Sequence, residues 1–525
     1  MKVDLDRYTE WACGLKFADL PDTVVLAAKC QIASTLSALL AGIQSEEGQR
    51  LARAHGFMPL HEGAGAFDLS RQPPAHIVFL LASWSMIHDY DDVMLGGHTG
   101  HSSVLVPMLL AWLHGGSGEQ LILAQVTANE IGARMNLSHA LGDTRGQMAS
   151  SLHLITATVA RCKFEQDAPE HYGRALAFAL ANTGRLSIPA FLGGDAKFFC
   201  AASPIRTAWE SVDHARAGLR AARESLDGSE GYFDDEAAHI CNAFGQSLGR
   251  EWFTLTNSFK PYPVCGYICS AIDCLRDLLH AHELDAEKVQ EVVLDANIFT
   301  CMVERYAQGY LRGPGTPVAA LTFSPRWVLA STLAHGDFGL RNLAPAVRDD
   351  QRVWDLMHRI RIRYSRRHSH DALLDGIPTG QALASAHPLE AIRFIRFFLR
   401  RAMGRGGRLH DWIRDADFIA QWARRRRRTR PAVEELTKPL GCALHVRTAD
   451  GRELSASQHI PIGFAGNGDW ADKLALVKAK YLECAAPVFD APLRQRHWET
   501  ISSLEEARGN ELGLLNPLRQ LGVCL

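Results

Sequence analysis

The chain has 525 residues, 56 of them basic and 58 acidic, for a formal charge of −2. Its 47% apolar and 22% charged residues exclude a disordered, collagen-like or coiled-coil chain. The length predicts more than one domain, and the near-zero charge excludes a chain-wide nucleic-acid or membrane footprint while leaving local patches open.

The first residues, MKVDLDRYTEWACGL, carry acids where an export signal has a basic region and an apolar run. A cytoplasmic location is therefore expected, with no membrane partner, since no stretch approaches the roughly 18 uninterrupted apolar residues of a span. The 12 cysteines are scattered and are expected to be reduced and mostly buried. The tightest group, Cys265, Cys269 and Cys274, lacks the C-x-x-C pairs of a zinc site, and no metal is expected.

Pro21 and Asp22 open the run DTVVLAAKCQIASTLSALLAG, which reads as a buried helix with Asp22 as N-cap and Gly42 as stop. Further helical runs lie near 72–88, 102–114, 118–140, 148–164 and 170–186, and nothing before about residue 250 alternates like a strand. After Pro261 and Pro263 the pattern changes. KVQEVVLDANIF (288–299) and LMHRIRIRY (356–364) read as strands, and CALHVRTADGRELSASQHI predicts a hairpin turning at Asp450-Gly451. Helical pattern returns at 469–485 and 499–507. The expected fold is mainly α: a large all-helical domain from 1–256 with 461–525, and a smaller α+β domain over 257–460.

Residues 358–430 hold 18 arginines, no lysine and six acids, a local charge of +12 ending in the run Arg424 to Arg428. Two readings stand. One is a solvated helical insertion, at about 366–435, whose arginines pair with the acidic remainder of the chain or a partner subunit. The other is a site for a polyanion.

The densest polar cluster is HDYDDVMLGGHTGHSSVLVP, which sets His88, Asp89, Asp91, Asp92, His98 and His101 around a glycine-containing turn between two helices. Ser102 or Ser103 is expected to cap the second helix. Metal ligation, plain capping, and acid–base chemistry on a carboxylate substrate all use such residues. Lys197 (GGDAKFFCAASP) and Lys260 (NSFKPYPVCGY) sit beside rigid or glycine-rich turns. A lone lysine is by default a solvated surface charge, but beside an apolar turn it suits carboxylate binding. Gly245-Gln246-Ser247-Leu248-Gly249 has the spacing of a nucleophile elbow, but the residues before it, EAAHICNAF, read as helix rather than strand, which argues against one.

Several segments, in order, resemble the MmgE/PrpD family of 2-methylcitrate dehydratases, cis-aconitate decarboxylases and iminodisuccinate epimerases. HDYDDVMLGGHTGHSSVLVPMLLA resembles its D-F-D-D-T…H-P-G-S…V-P-A segment, and DAKFFCAASPIRTAWESV the segment around its active-site lysine. LDGSEGYFD, FKPYPVCGY, LTFSPRWVLASTLAHGDF and ADGRELSAS with GFAGNGDW resemble later family motifs. The resemblance implies an all-helical domain with a smaller α+β domain, a homodimer, and lyase or isomerase activity on a small carboxylate without a cofactor, with nucleic acid not expected as a partner. By position it makes Asp89, His98 or His101, Lys197 and Lys260 catalytic. This chain also departs from the family pattern. Val93 stands where the family has threonine, Arg145 lies where it has a histidine segment, Cys269 replaces a histidine and Trp327 a tyrosine. These four positions are expected to line a substrate site that has diverged, the alternative being a catalytically inactive family member that binds a polyanionic partner through the arginine-rich insertion.

Overall fold

The computed structural model describes residues 4–56, 69, 72–137, 149–184, 186–228, 230–235, 247–377, 379–403, 416–426, 431–509, 513–515 and 518. It is mainly α-helical with a small mixed sheet. The chain divides into two units. One comprises Met1–Leu186, Ala196–Phe259 and Asp469–Leu525, the other Ser187–Asp195 and Lys260–Gly468.

The first unit is built on helices that are apolar on nearly every face. In the Asp22–Gln44 helix, residues from Val24 to Ile43 are buried almost without interruption, and each fully buried Val, Leu or Ile contributes about 1.5–3 kcal/mol before the entropy of ordering is set against it. Among the described residues it is the one helix long and apolar enough to cross a membrane, and 89% of its most apolar window is buried inside the protein. Its ends differ from the sequence reading. Pro21 is the N-cap, Asp22 is the first helical residue, and the helix runs past Gly42 to Gln44. Gly42 does not stop the helix because its role is in packing: a Cβ there would lie 1.8 Å from the carbonyl oxygen of Trp84. The missing side chain lets the Pro74–Met86 helix cross in close contact.

Helices Gly118–Asn136, Ala149–Phe164, Pro169–Leu180 and Phe199–Arg216 complete most of this layer. At the C-terminal end the helix expected at 499–507 instead runs Ala491–Ser502, because Asp490 accepts from the Leu493 N–H and Pro492 occupies the first turn. Two strands too short to show any alternation, β1 (Asp92–Val93) and β2 (Ser258–Phe259), pair antiparallel with Asp92 opposite Phe259.

The second unit carries a four-stranded sheet of β3 (Val289–Ala296), β4 (Ile360–Tyr364), β5 (Cys442–Thr448) and β6 (Glu453–Gln458), in the order β4-β3-β5-β6. β3 and β4 run parallel, and the other neighbours antiparallel. The β5–β6 hairpin turns where the Asp450-Gly451 pair predicts, with Gly451 at φ 81°. Alternation gives the sheet one buried face, with Val292, Leu294, Leu444 and Val446 inside. On the other face Arg361 and Arg447 each reach Glu291 at 3.1 Å, and Arg363 grips Asp295. Arg361 and Arg363, near the start of the basic stretch, are therefore engaged by β3 carboxylates.

Candidate active site

The cluster predicted around residues 88–101 forms a real constellation in the first unit. It begins where the Pro74–Met86 helix ends. Asp89 adopts φ 53°, a left-handed conformation that aspartate tolerates better than most residues. This turns its carboxylate onto Lys197, whose Nζ lies 2.8 Å from Asp89 Oδ1 and donates to the Met86 carbonyl at 3.2 Å. Lys197 is fully buried, and so is Lys260. The surface default for these lysines is wrong, because each has been enclosed by packing that a local sequence window does not show. Lys197 stands just before the Phe199–Arg216 helix, which is locked against the Pro74–Met86 helix by Phe79 and Phe199, stacked at 5.6 Å.

Asp91 is the hub. Its Oδ2 lies 2.5 Å from His98 Nδ1 and 3.1 Å from His101 Nε2. His98 is partly exposed, with 41% of its side chain accessible, while His101 is buried. The far nitrogen of His101, Nδ1, lies 2.7 Å from Ser85 Oγ, and that hydroxyl also reaches the Ala82 carbonyl at 2.9 Å. A carboxylate only accepts, so His101 directs an N–H at Asp91. The Ser85 hydroxyl can donate to Nδ1, or rotate its hydrogen to Ala82 and accept from Nδ1. Both protonation states of His101 are thus fully hydrogen-bonded, which is the property a proton-transfer group needs.

Asp92 plays a different part. Its Oδ2 accepts from Gln31 Nε2 at 2.7 Å, and Gln31 is itself held by Gln125 and Asn129 at 2.8 and 2.7 Å. Burial first, and then the neighbouring Asp91 carboxylate, push the Asp92 carboxyl above its ordinary range. Gly100 faces it so closely that a Cβ would sit 2.1 Å from Asp92 Oδ1. The short Gly100–Ser103 helix therefore starts at Gly100, with Thr99 before it, and not at a serine cap. Ser102 lies inside this turn and contacts His153 Nδ1 at 3.0 Å. Burial, followed by His101 and His98, holds His153 well below the usual histidine range, so it is neutral.

The loop is fastened from three sides. Met94 and Gly97 exchange backbone hydrogen bonds at 3.0 Å around Leu95-Gly96. Asn136 donates to the Gly96 carbonyl at 2.7 Å, and the Leu95 N–H donates to Thr256 at 2.8 Å. The buried Glu130 carboxylate takes the backbone N–H groups of Phe253 and Thr254, at 2.9 and 2.8 Å, and the Arg134 guanidinium. From the Trp470–Ala485 helix, Lys480 donates to the Tyr90 carbonyl at 2.5 Å and to Ser34 at 2.9 Å. Lys473, seven residues earlier on the same helix face, donates to the Asn257 carbonyl at 2.9 Å.

Sequence reasoning missed Gln31, Ser85, His153 and Lys480. Each sits in an ordinary apolar or amphipathic helix, and only tertiary packing brings it to the cluster. Val93 is half-buried in β1. Arg145, and Gly245-Gln246 of the elbow-like spacing together with the EAAHICNAF run before it, lie outside the described residues. Ser247 is buried, 3.4 Å from Arg134.

The remaining predicted residues are in the second unit. Lys260 immediately follows β2 in the chain, and its Cε lies 3.9 Å from where a Cβ on Gly266 would stand. Tyr262 of the same motif donates to Asp273 at 2.8 Å. Cys269 begins the Cys269–His282 helix and is buried. Trp327 is fully buried in the Pro325–His335 helix with Phe338 edge-on at 6.1 Å, and its indole N–H has no hydrogen-bond partner among the described residues. Among the described residues no group of three or more His, Cys, Asp or Glu side chains is placed to hold a metal ion.

Two family models match the chain: the MmgE/PrpD N-terminal domain over residues 6–236 and the MmgE/PrpD C-terminal domain over residues 262–382. The first takes in the whole Asp89–His101 cluster and Lys197; the second begins just after Lys260. No curated protein matches the chain.

Proposed function

The chain belongs to the MmgE/PrpD family, a family of dehydratase-like and lyase-like enzymes, and from that premise we propose that it is a cofactor-independent dehydratase or decarboxylase of a small polycarboxylate. The observation that carries this reading is the buried His101, held between Asp91 and the Ser85 hydroxyl with a hydrogen-bond partner for each protonation state. In the dehydratase form, the Ser85 hydroxyl turns its hydrogen to the Ala82 carbonyl, and the freed Nδ1 lone pair of His101 takes a proton from the carbon next to a substrate carboxylate. The electron pair moves into that carboxylate, giving an enolate-like dianion. It returns to form the double bond as the β-hydroxyl leaves, and a proton delivered to that oxygen completes a water molecule. Loss of carbon dioxide from a related acid reaches the same kind of carbanion, and reprotonation on the opposite face would be epimerisation, the alternative outcome.

Asp91 stabilises the imidazolium formed at His101, and His98, on the same carboxylate oxygen and partly exposed, helps hold that carboxylate in place. The Lys197 ammonium, fixed by Asp89, offsets developing negative charge, as preorganised cations do. Lys260 is assigned the same task by its place in the family motif. The apolar Val93 and Trp327 and the thiol of Cys269 supply none of the hydroxyl or imidazole contacts that the family pattern has there, so the substrate differs from 2-methylcitrate.

The test is solvent-deuterium exchange. A panel of hydroxylated and unsaturated di- and tricarboxylates is incubated with the protein in D2O and followed by proton NMR. One member should lose its α-proton signal and yield product, and His101→Asn should slow this by about 100-fold or more, the usual contribution of a general base. Exchange that persists undiminished in His101→Asn and in Lys197→Met would sink the reading.

A further inference from the structure

We propose that the arginine-rich segment docks this protein on an anionic phospholipid surface through the outer face of the Pro388–Met403 helix. The inference is independent of the catalytic reading, because it uses no residue of the candidate active site.

The helix has two faces of different character. Ala391, Phe394, Ile395 and Leu399 are buried, and the helix packs on Ile298–Gln308 of the same unit. Leu389, Ile392, Arg393 and Arg396 recur at intervals of three, one and three residues, which places them on one stripe. All four are exposed, Leu389 at 60% and Ile392 at 40%. Neither arginine makes an ion pair with any described residue, in contrast to Arg361 and Arg363 on β4. Only five large hydrophobic side chains are exposed among the described residues, and three of them, Leu389, Ile392 and Ile419, lie in this segment. The outer stripe thus joins aliphatic groups to unneutralised guanidinium groups.

That pairing selects the partner. Guanidinium binds phosphate in a bidentate fork, which a nucleic acid and a phospholipid headgroup both satisfy. Single-stranded nucleic acid is gripped on exposed aromatic rings, but none of the described aromatic side chains of this segment is exposed: Phe394 and Phe418 are buried, and Phe397 and Trp422 are half-buried. Exposed aliphatic side chains add nothing to binding a sugar–phosphate backbone. At a bilayer they enter the boundary between headgroups and acyl chains while arginines stay with the phosphates. The chain as a whole is near-neutral, so the attraction is local to a segment of charge +12.

The full-length protein is tested by flotation with vesicles of phosphatidylcholine alone and of phosphatidylcholine with about 30% phosphatidylglycerol. Binding is expected to the second only, and to weaken as salt rises. Leu389→Ser/Ile392→Ser should weaken it by about tenfold or more by removing buried aliphatic area. Arg393→Gln/Arg396→Gln should weaken it by about fivefold for each arginine. All four side chains are exposed, so circular dichroism and the unfolding midpoint should not change. No binding to anionic vesicles overturns the proposal. So does undiminished binding by the Leu389→Ser/Ile392→Ser protein, or equal loss of vesicle binding and of single-stranded RNA binding in that variant, since either makes the segment a general polyanion or nucleic-acid site.

Discussion

Asp89 and Lys197 show what a buried ion pair requires of its neighbours. The left-handed turn at Asp89 is what aims its carboxylate at an ammonium with no exposed surface, and the Met86 carbonyl takes another of that ammonium's protons. Removing one member leaves the other charged in a dry site, which costs about 3–5 kcal/mol, whereas removing both is much milder. Lys197→Met should therefore lower unfolding stability by about that amount, and Asp89→Asn/Lys197→Met should cost less than the sum of the single changes by about 1–3 kcal/mol. Asparagine is the right partner substitution because it also tolerates positive φ. Urea titration of the four proteins closes the cycle. Strict additivity would mean that the pair is not coupled, and that Asp89 is held by its turn alone.

The Trp470–Ala485 helix acts through two residues on one face, seven positions apart. Lys480 and Lys473 each place an ammonium on a backbone carbonyl, one beside Asp89–Asp92 and the other just before β2, so the helix braces both strands of the β1–β2 ladder. Burial brings the Lys473 ammonium down from its ordinary range to about 8, and the face of Trp470, 4.5 Å away, compensates in part. A base whose folded value lies below its unfolded one holds fewer protons when folded. Stability contributed by this group is therefore present above the unfolded value near 10.5 and is lost as pH falls through about 8. Wild-type stability should rise relative to Lys473→Met between these limits, by on the order of 3 kcal/mol in all. Parallel pH-dependences of the two proteins would show that Lys473 is not desolvated. Little of this brace could be read in sequence. The helix itself was visible from its helical pattern at 469–485, but a lysine on a carbonyl looks like any lysine. The β1 and β2 strands are two residues each, below the length at which alternation exists. By contrast, the β5–β6 hairpin was legible because its turn is specified by adjacent residues, and the Asp89–His101 cluster because its polar groups are close in sequence. Ser85, Gln31 and His153 join that cluster from separate helices, and nothing local marks them.

Charge is distributed over the molecule in a way the net value hides. The −2 total is +12 within residues 358–430 and −14 elsewhere. The basic part is itself divided: Arg361 and Arg363 belong to β4 and are neutralised by β3, whereas Arg393 and Arg396 lie on the Pro388–Met403 helix and Arg424 on the Ala416–Arg426 helix. The C-terminal-domain match ends at residue 382, within the Thr379–Ser385 helix at the start of the arginine-rich segment. Its two ends are tied together, for Gly376 bridges Thr437 and the Ile377 N–H donates to the Thr437 carbonyl at 3.2 Å. A segment whose ends meet can be removed without separating the strands it interrupts. Replacing residues 379–435 by a short glycine–serine linker should therefore preserve the β4-β3-β5-β6 sheet, read as slow amide exchange in β3 and β5. The cost should appear as a lower unfolding midpoint, because Phe394, Ile395 and Leu399 no longer cover the Ile298–Gln308 helix. Collapse of protection in β3 and β5 would show instead that the segment is part of the sheet's own core. Survival of the sheet would place the +7 charge of residues 379–435 on an appendage of a fold that is complete without it.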